Sequence, residues 1–99
     1  MGTFVMLTWL SPEALSNPAS FTELNAKVEE HVRQNLPEVK WVANYAIMGA
    51  CDYLDIFEAP DVETAQKLSV LIRSFGHATT QTWVANPWDR FVQMTQELR

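Results

Sequence analysis

Apolar positions along this chain repeat with two periods, and the periods alternate in blocks. Thr3 to Leu10 (TFVMLTWL) is short, partly β-branched and aromatic, and ends at Ser11-Pro12. It predicts a strand covered on both faces. Ser11 to Ser20 is polar and contains Pro12, Asn17 and Pro18, which predicts a connection with one helical turn at Pro12 to Leu15. Ser20 followed by Glu23 reads as a capping box, and Leu24, Val28, Val32 and Leu36 then form one apolar stripe up to Pro37. Val39 to Met48 and Tyr53 to Ala59 predict two strands joined by the short link Gly49-Ala50-Cys51-Asp52, hence an antiparallel hairpin. Asp61 caps a second helix with the stripe Val62, Ala65, Leu68, Ile72 and Phe75, ended by Gly76. Thr79 to Ala85 predicts a fourth strand. Asn86-Pro87 then opens a C-terminal helix over about 87–98, with Asn86 as cap, Pro87 at the first helical position, and Trp88, Phe91, Val92 and Leu98 on one side.

The order is βαββαβ plus a terminal helix, the ferredoxin-like pattern of the α+β class in one domain spanning 1–99. Such a fold places a four-stranded antiparallel sheet under two helices on one face. The opposite face should then alternate with polar residues if it met water. It does not. Phe4, Met6 and Leu10 share one parity and Val5, Leu7 and Trp9 the other; Trp41, Tyr45 and Ile47 oppose Val42, Ala46 and Met48. Two apolar faces predict a homodimer that stacks its helix-free sheet faces around a barrel-like interior. The alternative is that the terminal helix folds back over that face.

Composition narrows the classes. Four Trp residues in 99 exceed what one small core absorbs, which favours an interface or cleft. The net charge of −5 and the scattered basic residues argue against nucleic acid and against an anionic membrane surface. No apolar run is long enough for a membrane span, no secretory signal is evident, and the single Cys51 forms no internal disulfide. Together these absences point to a cytoplasmic protein.

The chain resembles the GYD-domain proteins, a bacterial family of the dimeric α/β-barrel group. The matching stretches are Thr3 to Leu15, Gly49 to Asp61 (GACDYLDIFEAPD) and Thr80-Gln81-Thr82-Trp83. Where the family pattern has Gly-x-Tyr-Asp, this chain has Gly49-Ala50-Cys51-Asp52. The resemblance implies the fold and the dimer. The wider group includes cofactor-free monooxygenases, isomerases, haem-binding enzymes and regulatory ligand-binding domains, so it assigns no single activity.

Among polar residues Asp55 carries most information, because it lies mid-strand between Tyr53 and Phe57, on the face expected to be helix-free. A carboxylate there must be paired, hydrogen-bonded or protonated, which suits either a general base or an interface salt bridge. Asn44, Tyr45, Tyr53, Phe57 and Trp83 are the candidate ligand-binding residues beside it. Cys51 with His77 has no nucleophile signature around it, and His31 has Lys27 and Asn35, not ligands, at four-residue spacing. No metal spacing or phosphate loop is present, and no cofactor is expected. Three functions remain open. The first is a ligand-binding or regulatory domain holding a small, largely apolar molecule between sheets. The second is a cofactor-independent monooxygenase or isomerase with Asp55 as base. The third is a structural oligomer with a filled interior.

Overall fold

The computed structural model describes residues 1–98. Strand β1 is Gly2–Leu10, followed by the single turn α1 (Pro12–Leu15) and helix α2 (Phe21–Asn35). Strands β2 (Lys40–Ala46) and β3 (Tyr53–Ala59) form the hairpin. Helix α3 (Val62–Arg73), strand β4 (Ala78–Ala85) and helix α4 (Trp88–Gln96) complete the chain. The sheet order is β2-β3-β1-β4 with every neighbouring pair antiparallel, as the ferredoxin-like reading requires.

Cross-strand register identifies the two faces. Phe4 pairs with Phe57 and Met6 with Asp55, and these positions lie under the helices. There Phe4, Met6, Phe57 and Ala59 pack against Val32 and Leu36 of α2 and Ala65 and Leu68 of α3. Phe57, Met6 and Leu68 are fully buried, and each contributes about 1.5–3 kcal/mol by leaving water. The other face carries Val5, Leu7 and Trp9 of β1 against Leu54 and Ile56 of β3, with Trp83 beside Val5 on β4. Trp83 is 54% exposed and Tyr45 59% exposed, and no residue of α4 is buried. The terminal helix therefore does not fold back to cover the sheet.

Helix ends follow local chemistry, with two corrections. Asp61 caps α3 as expected: its Oδ1 accepts hydrogen bonds from the backbone N–H and the hydroxyl of Thr64, both at 2.7 Å. Gly76 follows that helix with φ +79, a backbone conformation in which glycine has no steric cost. Ser20 does not cap α2. A 3₁₀ turn over Pro18–Ser20 already has helical geometry, so the Ser20 hydroxyl turns back to the carbonyl of Asn17. Asn86 does not cap α4 either; Pro87 holds the cap position, and the Asn86 amide reaches Met94 instead.

A further correction concerns side-chain parity. A β-bulge between Trp41 and Ala43 shifts the register of β2. Trp41 faces the helices and packs edge-on against Phe57, while Tyr45, expected on the same side, pairs with Leu54 on the other. The same pairing overturns the expected placement of Tyr53, Asp55 and Phe57 on the helix-free face. They lie under the helices, and Leu54 and Ile56 point the other way. Both parities of β3 are apolar enough to be covered, so alternation alone could not choose between them.

Candidate functional site

The helix-facing side of the sheet changes character along its strands. Toward one end Phe4, Met6 and Phe57 fill the core. Toward the other, the same rows continue as Thr8 and Leu10 on β1, and as Asp55 and Tyr53 on β3. Thr8 and Asp55 are polar, Leu10, Tyr53 and Asp55 stay partly exposed, and all four line an open space beneath the helices. The result is a cavity of about 310 Å³ between sheet and helices. Leu24 and Val28 of α2 and Ile72 and Phe75 at the end of α3 form its apolar roof. Trp41, Asn44, Tyr53 and Asp55 form its floor, with His77 at one side.

The bulge in β2 is what builds the polar part of that floor. It brings Asn44 to the same face as Trp41 and directly opposite Asp55. The Asn44 Nδ2 group donates a 2.7 Å hydrogen bond to Asp55 Oδ1. Burial among apolar neighbours pushes the Asp55 carboxyl above the ordinary aspartate range, and the Asn44 hydrogen bond only partly offsets this. Among the described residues, no Lys or Arg lines the cavity. A half-buried carboxyl of this kind can hold a hydrogen-bonding group of a ligand, or exchange a proton with one.

Of the residues expected at a site, Asn44, Tyr53 and Asp55 meet at the cavity, and Tyr45 borders it at the sheet edge. Phe57 does not reach it, because the ring is enclosed in the core. Trp83 lies on the opposite face of the sheet, paired with Val5. The space itself lies between sheet and helices within one chain, not on the helix-free side. His77 lines it but Cys51 does not; the thiol is buried and donates to the carbonyl of Tyr53. His31 is exposed and meets Phe75 edge-on at 5.1 Å. Sequence reasoning missed Leu24, Val28 and the flanking Asn25 and Glu29. The available signal was helical spacing, since Asn25 and Glu29 follow that stripe one residue on and share the cavity wall.

A wider groove of about 790 Å³ runs along α3 beside β4. Its charged side chains Glu63, Lys67 and Arg73 are all exposed, and no half-buried ionisable group faces it. Among the described residues, no three His, Cys, Asp or Glu side chains group to hold a metal ion, and no helix is long and apolar enough to cross a membrane.

A likeness to one solved structure agrees with this architecture. A solution NMR structure of a de novo designed protein with a ferredoxin fold aligns with a TM-score of 0.52 at 13% identity, over 87% of this chain and 85% of that one. A crystal structure of an antibiotic biosynthesis monooxygenase aligns with a TM-score of 0.48 at 17% identity, over 88% of this chain and 98% of that one. In sequence, the glutamine synthetase and cystathionine beta-lyase binding protein of Thermus thermophilus is 30% identical over 91 residues, which cover 88% of this chain and 90% of that protein. The GYD domain profile matches residues 4–95. With most of its length inside that match, the chain belongs to the GYD domain family.

Proposed function

We propose that this protein is a regulatory binding domain that takes a small, largely apolar molecule into the cavity beneath α2 and α3. The observation that carries the reading is the cavity itself, with an apolar roof and the Asn44–Asp55 pair at its floor. Its volume is at the lower end of small-molecule sites, and a few polar groups among apolar walls is the usual composition of such a site. The relative from Thermus thermophilus is named for binding two enzymes, which supports protein partners for this chain as well. In this reading the small molecule modulates such contacts, and two copies associate through their helix-free sheet faces.

The test is a titration with neutral aromatic fragments, indole and phenethyl alcohol, followed by NMR. Saturable shifts of the Trp41 indole N–H and the Asn44 side-chain amide are expected. They should vanish in Val28→Phe, which fills the roof, while folding is retained. Shifts that never saturate, or that survive the filled roof, would defeat the reading.

A second reading is favoured by one feature, the raised carboxyl of Asp55 at the cavity wall. It suits a proton acceptor in a cofactor-independent oxygenase or isomerase. Under that reading Asp55→Asn abolishes turnover of a bound substrate but leaves its binding largely intact.

A further inference from the structure

We propose that the cavity selects small cations, namely a protonated amine carried on an apolar body. This inference rests on the reading that the cavity is a ligand site. Counting His77 as neutral, the formal charges of its wall have one sign: Asp55 enters from β3 and Glu29 from α2, and among the described residues no Lys or Arg lines it. Among the described residues, the ion pairs are Glu23 with Lys27 and Glu30 with Arg33, both along α2, so neither cavity carboxylate has a cationic partner. Asn44 occupies only Oδ1 of Asp55, and Oδ2 accepts no hydrogen bond from a described residue.

A carboxylate partly withdrawn from water without a counter-charge is unfavourable, and an ammonium group supplies both a counter-charge and N–H donors for the oxygen that Asn44 leaves free. The rings of Trp41, Tyr53 and Phe75 also line the space. Aromatic faces attract a cation and accept an apolar body equally well. A ligand carboxylate would instead meet two like charges. The formal net charge of −5 adds a field that favours approach of cations at low salt.

Three molecules of similar size and different charge test this by calorimetry at neutral pH: phenethylamine, phenethyl alcohol and hydrocinnamate. Phenethylamine is expected to bind roughly tenfold more tightly than the alcohol, with hydrocinnamate weakest. Asp55→Asn should bring the amine's affinity down to about that of the alcohol measured on the same variant, as expected when one charge pair is lost. Glu29→Gln, at an exposed position, should remove a smaller part of the amine's advantage. Equal binding of amine and alcohol, or a preference for hydrocinnamate, overturns the inference and leaves the cavity reading intact. An undiminished amine preference in Asp55→Asn overturns it too. Absence of binding by all three molecules overturns both readings.

Discussion

Asp55 is a residue whose position opposes the stability of the fold. Its carboxyl titrates above the ordinary aspartate value because burial disfavours the charged form. The folded state therefore holds this proton more tightly than the unfolded chain does. Its contribution to stability is complete below the ordinary aspartate pKa and is lost as pH rises through the raised one. Asn mimics the neutral form and does not titrate. Asp55→Asn should accordingly match the parent in strong acid and exceed it at neutral pH, by up to about 1 kcal/mol once the water still reaching the carboxylate is allowed for. Urea unfolding of both proteins across this pH range checks it, and parallel stability profiles would contradict it. The type and mid-strand place of this residue were legible in the sequence, as were Asn44 and Tyr53 nearby. Its face was not. Leu54 and Ile56 compete with Tyr53 and Phe57 for the core, and only the pairing of Phe57 with Phe4 decides the matter. Trp83 was drawn toward the site by its aromatic character, yet its pairing with Val5 sends it to the other side.

At the scale of elements, the link between β2 and β3 has a structural task that its sequence does not display. Gly49 sits at φ +140, which side chains rarely adopt. The Ala50 carbonyl accepts the Trp9 indole N–H, and the Asp52 carboxylate accepts the backbone N–H of Leu10 at 2.7 Å. Asp52 N–H in turn donates to the Thr8 carbonyl. The stretch that corresponds to the family's naming motif thus clasps the hairpin to the end of β1, and Cys51 is buried within it, away from the cavity. Asp52→Ala would strand the part-buried N–H of Leu10, a loss of about 1–3 kcal/mol. Asp52→Asn keeps an acceptor and should recover most of it; thermal unfolding of the two variants makes the comparison. Strands and helices themselves were readable because both periods were strong. The bulge in β2 was not, since no glycine or proline marks it, and it alone decides that Asn44 meets Asp55. Caps were readable where a single side chain controls the turn, as at Asp61, and unreadable where prolines already set the backbone, as before α2 and α4.

At the scale of the molecule, the two faces of the sheet have separate roles. The helix-facing side contains both the core and the cavity within one chain, whereas Val5, Leu54, Ile56 and Trp83 leave an apolar surface on the other. The amphipathic helix α4 carries Trp88 and Phe91, both exposed, with their rings 5.3 Å apart and tilted by 32°. A stable pair buries roughly 1,200–2,000 Å² in total, or about 800 Å² per copy, which is the scale of a four-stranded sheet face. The expected state at micromolar concentration is therefore a dimer, and sedimentation equilibrium measures it. Ile56→Lys places a charge at the middle of that face, where a monomer can still let the lysine head reach water but a dimer cannot. It should shift the protein to monomers with little loss of fold. The cavity lies on the opposite side of the sheet, beneath α2 and α3. The monomeric variant should thus bind indole with the same affinity as the parent. A wild-type monomer at this concentration would refute the pairing, and loss of indole binding in monomeric Ile56→Lys would show that the cavity depends on the second copy.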